Sequence, residues 1–167
     1  VRMAAPFLLE RGLNPSEEDL GPALFMSLLL GLPGGTGYFR PMAEHPSMAD
    51  ALWRTFRELR YAGLTSKDLR AEVFELAAKH AELVALLEAY ERYLREHRIA
   101  DLPTVLEEAT RRQDWCPIAA DDAVTELPEA LWSPLVRDFI DSLPGRKIAK
   151  IRPGLIFGTG GEINPGL

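Results

Sequence analysis

The chain has 167 residues, 47% hydrophobic and 26% charged, with a formal net charge of −6. That is enough for one domain with a proper core. The charge excludes a protein that binds nucleic acid over its whole surface but leaves room for a local basic patch. With Cys116 as its one cysteine, the segment forms no internal disulfide and no thiolate zinc or iron–sulfur site, which makes a reducing cytoplasm the expected location. The longest apolar stretch, Ala23–Leu30, is broken by Ser27, so no transmembrane helix is expected, and the start carries no leader pattern. An opening that reads VRMAAPFLLERG is unlike a natural start, and the expectation is a piece of a longer protein.

Residues 1–21 read as a lead-in. Asn14-Pro15-Ser16-Glu17 has the form of a cap followed by one helical turn, with Pro15 suited to the first helical position. A strongly apolar helix is expected over Pro22–Leu30, buried on several sides. Leu32–Pro41 holds three glycines and two prolines in ten residues and must be loop. A helix over Met48–Ala62, capped by Ser47, places Ala49, Leu52, Trp53, Phe56 and Leu59 on one face, and Gly63 is a good residue to end it. Thr65-Ser66-Lys67-Asp68 is expected to open a third helix, with Leu69, Val73, Leu76 and Ala77 inward.

Next comes a long helix, about His80–His97, with Leu83, Leu86, Leu87, Tyr90 and Leu94 on one stripe. A tight corner at His97–Asp101 leads to an Asp101-capped helix ending near Arg112, with Pro103 just inside it. Its expected apolar face is Leu102, Val105 and Leu106. On pattern alone the pair is also a plain amphipathic hairpin. Gln113–Glu126 is a connection with a short strand at Ala123–Thr125, and Ser133-Pro134 starts a last helix reaching about Leu143. The expected fold is mainly α: a multi-helix domain over residues 1–145 with little or no strand. A Gly/Pro-rich tail, or a return to a larger core, follows over 146–167. The expected core includes Leu52, Trp53, Phe56, Leu59, Val73, Leu83, Leu87, Tyr90, Leu94, Leu102 and Leu106.

Catalytic patterns are missing. Gly34-Gly35-Thr36-Gly37 runs into Tyr38-Phe39-Arg40, not into the Gly-Lys-Ser/Thr that a phosphate loop needs for its terminal phosphates and magnesium. Restriction-like nucleases use an acidic residue two before a lysine. Here Thr65, Ala77, Gly145 and Ile148 occupy those positions. Glu107-Glu108 and Asp121-Asp122 are neighbours that do not face one site on a helix. His45, His80 and His97 form no metal-ligand pair; His97 lies where a helix C-terminal dipole favours it. Cys116, between Trp115 and Pro117, reads as packed. No cofactor and no metal are expected in this segment.

Basic residues are fifteen Arg and four Lys, a bias that either serves phosphate contacts or reflects codon usage. Arg54, Arg57, Arg60, Lys67 and Arg70 fall within seventeen residues whose only acids are Glu58 and Asp68, a local charge of +3. Arg54, Arg57 and Tyr61 share one helical flank, beside Trp53 on the buried side. Such a stripe is either a solvated helix face or a set of sequence-independent contacts to a nucleic-acid backbone. Arg146, Lys147, Lys150 and Arg152 form a second cluster, read as a strand of a larger sheet or a phosphate-facing edge.

The order of motifs adds a resemblance over Met48–Gly145. A helix ends in Leu59-Arg60-Tyr61-Ala62-Gly63-Leu64, the long helix carries Tyr90-x-x-Tyr93-Leu94, Asp101 opens D-L-x-x-x-L, and Ser133–Leu143 reads S-P-L-x-R-x-F-I-x-x-L. This order resembles an accessory helical domain of UvrD/Rep-like helicases, and in particular of helicase–exonuclease subunits of the AddB/RexB type. In that family such a domain is inserted between pieces of a RecA-like core, which Ser133–Leu143 would rejoin. The resemblance implies a role in DNA double-strand break processing and recombination repair, with DNA backbone or the partner subunit as partners. It puts ATP, magnesium and the nuclease site elsewhere in the polypeptide, so the segment itself is expected to be no enzyme. The alternative is a stand-alone helical protein–protein interaction module unrelated to DNA.

Overall fold

The computed structural model describes residues 5–15, 21–32, 37–113, 116–126 and 130–148. These form six α-helices: α1 Ala5–Glu10, α2 Gly21–Leu30, α3 Pro46–Tyr61, α4 Ala77–Glu96, α5 Leu102–Arg111 and α6 Pro134–Ser142. Four short strands, β1 Asn14–Pro15, β2 Ile99–Ala100, β3 Ala123–Thr125 and β4 Arg146–Ile148, make two parallel pairs, β1 with β2 and β3 with β4. The molecule is mainly helical, a multi-helix domain in which strand plays a minor part.

The core is organised around Phe25 of α2. Its ring lies 5.6 Å from Trp53, 5.0 Å from Phe56 and 5.3 Å from Tyr90, each at a tilt that suits aromatic quadrupoles. Leu29, Leu52, Leu83, Leu86, Leu87 and Leu94 complete it, joining α2, α3 and α4. A second, smaller cluster joins Leu8 of α1 to Ala100 and Val105. The β1–β2 pairing holds α1 in place there, with Asn14 opposite Ile99.

Local chemistry explains the boundaries. Helix α3 starts earlier than Ser47 because Pro46 takes the first helical position behind an extended His45, which is the N-cap. It ends as the sequence implies, on a left-handed Gly63 (φ 75°). Gly63 N–H donates to Arg60 O and Leu64 N–H to Leu59 O, the paired bonds of a Schellman motif. The corner after α4 turns on Arg98, at φ 52°, with His97 stacked on Tyr93 at 4.1 Å. Asp101 caps α5, its Oδ1 accepting from Thr104 N–H at 3.0 Å.

Five expectations need correction. The third helix is replaced by two 3-10 turns, Ser66–Asp68 and Ala71–Val73. Thr65 and Asp68 cap each other, so the turn closes on itself, and Leu69 continues in an extended conformation (ψ 93°). Val73 is therefore 74% exposed and Leu76 51%, so neither belongs to the core. Along α5 the buried face is Pro103, Val105, Glu108 and Ala109, while Leu102, at the first position, is 39% exposed. Residues 5–15 hold a helix and a strand where a lead-in was expected, and the capping turn proposed from Asn14 runs into residues outside those described. Helix α2 buries one side, through Phe25 and Leu29, and leaves Leu30 45% exposed.

The strand expected at Ala123–Thr125 is present and pairs with Arg146–Ile148 around α6 as crossover. The start of the expected tail is thus tied into the domain. The remainder, with Lys150 and Arg152, lies outside the described residues.

Candidate nucleic-acid interface

Helix α3 positions the basic residues singled out in the sequence, and its periodicity sorts them. Leu52, Trp53 and Phe56 point inward, so Arg54 and Arg57 stand on the exposed flank. The Arg54 side chain is 72% exposed, with Nη2 2.8 Å from Asp50 Oδ2 one turn earlier. A guanidinium carries five N–H donors, so this pairing leaves most of Arg54's hydrogen-bonding capacity for another ligand.

Arg60 behaves differently. Its side chain is 11% exposed and folds across to α5, where Nη2 meets Asp101 Oδ1 at 3.0 Å and Nε meets Oδ2 at 3.3 Å. Nη2 also donates to Thr104 Oγ1 at 2.9 Å, and Tyr90 Oη donates to Asp101 Oδ2 at 3.1 Å. Burial disfavours the charged form of both partners, and their pairing more than offsets it. Asp101 is held below the usual carboxylate range, and Arg60 above its ordinary value. Arg60 is a structural tie between helices and does not join the surface stripe. Lys67 and Arg70 are exposed on the turns beyond Gly63, away from the groove that Arg54 and Arg57 border.

That groove was not legible in the sequence. It has a volume of about 620 Å³ and runs between the start of α2, at Gly21–Pro22, and the middle of α3. Asp50, Trp53, Arg54, Arg57 and Glu58 form its other wall. The only sequence signal was the four-residue spacing of Asp50, Arg54 and Glu58, which sets two carboxylates around the cations on one face. Among the described residues there is no group of three or more His, Cys, Asp or Glu able to hold a metal ion. Nor is any described helix long and apolar enough to cross a membrane.

No protein-family model matches the chain, and no similar curated protein or solved structure was found. In chemical terms the α3 flank offers two neighbouring guanidinium groups at the edge of a concave, partly apolar surface. Such a surface has the chemistry to contact a phosphate.

Proposed function

We propose that this chain is a non-catalytic helical accessory domain that holds nucleic-acid backbone within a larger DNA-processing protein. The motif order in Met48–Gly145 favours a helicase–exonuclease of the AddB/RexB type, acting in double-strand break processing. ATP and magnesium would then be used elsewhere in the polypeptide. The single observation that carries the DNA-binding part is the exposed Arg54–Arg57 pair on the rim of the α3 groove. Phosphate contacts of this kind position a strand without reading its sequence.

The test is equilibrium binding of DNA over a range of salt concentrations. Weak, sequence-independent binding that falls steeply with salt is expected, because counterions are released on contact. Replacing Arg54 and Arg57 with Gln should lower the slope of log affinity against log salt by about one per lost contact. No binding even at low salt would remove this reading.

A second reading, a protein–protein interaction module, has its own observation. Leu131 is 96% exposed and Trp132 47% exposed in the connection between β3 and α6, an apolar pair of the kind that partner proteins cover.

A further inference from the structure

We propose that Leu131 and Trp132 dock into the apolar stripe of a basic amphipathic helix carried by a partner protein. This rests on the interaction-module reading above and goes beyond it by naming the partner's chemistry. The pair stands in the connection that enters α6, where Leu131 is 96% and Trp132 47% exposed. Adjacent exposed apolar side chains rimmed by polar groups mark a surface that another molecule covers. The indole is also held in place. Its Nε1 donates to Glu126 Oε2 at 3.1 Å, and Arg137 Nη1 donates to the same oxygen at 2.7 Å. Arg137 in turn holds Asp141, donating from Nε to Oδ2 at 2.9 Å. A tryptophan fixed in this way loses little freedom on docking and suits the role of an anchor.

Charge selects the partner. Residues 121–141 hold six acidic residues and one basic, so this stretch carries most of the chain's net charge of −6. Its cation, Arg137, is shared between Glu126 and Asp141, and Asp138 adds an exposed carboxylate on α6. Such a surface repels nucleic acid and anionic lipid. A second copy of the chain docking by the same face would set these acids against one another. A helix with lysines flanking its apolar stripe matches both the apolar pair and the acids around it. Leu131 projects, so it fits a hole between four side chains of that helix, as a coiled-coil knob does. The flanking lysines then reach Asp138 and Asp141, and one of them can lie over the Trp132 ring.

The experiment is fluorescence anisotropy of the whole chain with labelled amphipathic helical peptides of about five turns, built from Leu with Lys, Leu with Gln or Leu with Glu. The expected result is Leu/Lys bound about tenfold tighter than Leu/Glu, with an affinity that falls as salt is raised. The double variant Leu131→Ser, Trp132→Ser should weaken the Leu/Lys complex about tenfold or more, as loss of an anchor implies. The double variant Asp138→Asn, Asp141→Asn should weaken it about two- to fivefold and flatten the salt dependence. Circular dichroism checks that both variants fold. Equal binding of all three peptides, lost in the Leu131→Ser, Trp132→Ser variant, would overturn the basic partner and leave the interaction-module reading standing. A dimer of the chain in sedimentation that the same variant abolishes would make the occupant a second copy and overturn the inference. Leu/Lys binding that is unchanged in that variant, or no binding of any peptide, would overturn both the inference and the reading beneath it.

Discussion

The guanidinium of Arg60, in the last turn of α3, grips the carboxylate of Asp101, the cap of α5, through Nη2–Oδ1 at 3.0 Å and Nε–Oδ2 at 3.3 Å. Tyr90 from α4 donates to the same carboxylate, so one buried acid ties three helices. Removing it should leave a buried, unpaired arginine. The Asp101→Ala variant is expected to lose about 3–5 kcal/mol, read as a lower urea midpoint. Asp101→Asn, which keeps a capping oxygen, should lose less. A loss under about 1 kcal/mol in the alanine variant would show that the tie is dispensable.

The same carboxylate predicts acid sensitivity. Its pKa is lower in the folded than in the unfolded chain, because the Arg60 and Thr104 contacts outweigh the opposing effect of burial. Its contribution is thus complete above the unfolded value of about 3.9 and is lost as pH falls through the folded value. Urea midpoints measured from neutral pH to below pH 4 should fall more steeply for the wild type than for Asp101→Asn. Parallel curves would refute the assignment.

Stability and binding should separate along α3. Arg60→Gln is expected to weaken the fold and leave the salt slope of DNA binding unchanged, since its side chain is 11% exposed and already paired. Arg54→Gln should shift stability by no more than about 0.5 kcal/mol and lower the slope by about one. The reverse pattern would mean that the two arginines have been given each other's roles.

Gly37 lies against Glu82. A Cβ there would sit 2.7 Å from Glu82 Cδ and nearer still to Oε1, while Glu82 Oε2 accepts the Phe39 N–H at 2.5 Å. Gly37→Ala must push that carboxylate off the loop, at a cost of about 1–3 kcal/mol for the orphaned amide. In a Glu82→Ala background the same substitution should cost little, and the double-mutant cycle measures the coupling. Simple additivity would exclude the contact.

Burial sets a contrast between two apolar residues. Phe25→Ala should cost about 3–5 kcal/mol, because the ring is fully buried among Trp53, Phe56 and Tyr90. Val73→Asp should stay within about 0.5 kcal/mol, as Val73 is 74% exposed. Thermal or urea unfolding of the pair checks both, and a large loss at Val73 would return it to the core.

The helices that could be read from the sequence are those with both a stripe and a stop. Leu83, Leu87, Tyr90 and Leu94 specify α4, and Gly63 ends α3, because spacing and left-handed glycine geometry are local properties. Val73 and Leu76 were misplaced because their helical spacing is real but the turn at Thr65–Asp68 satisfies itself first. Leu102 was misplaced because a residue in the first turn points toward the helix entrance, so the buried stripe starts one position later. At the site, charge density marked Arg54 and Arg57 but could not show that Arg60 crosses to Asp101, 41 positions away in the chain. The groove depends on how α2 lies over α3, which no local pattern encodes.

The pairing of Asn14–Pro15 with Ile99–Ala100 fixes when the chain can finish folding during synthesis. Leu8 has its burial partners in Ala100 and Val105, which leave the ribosome long after it. At about 5–20 residues per second that interval is roughly 5 to 20 seconds, whereas single helices form within microseconds. Helix α1 therefore has its apolar side uncovered through that interval of synthesis, a window open to a nascent-chain chaperone or a protease.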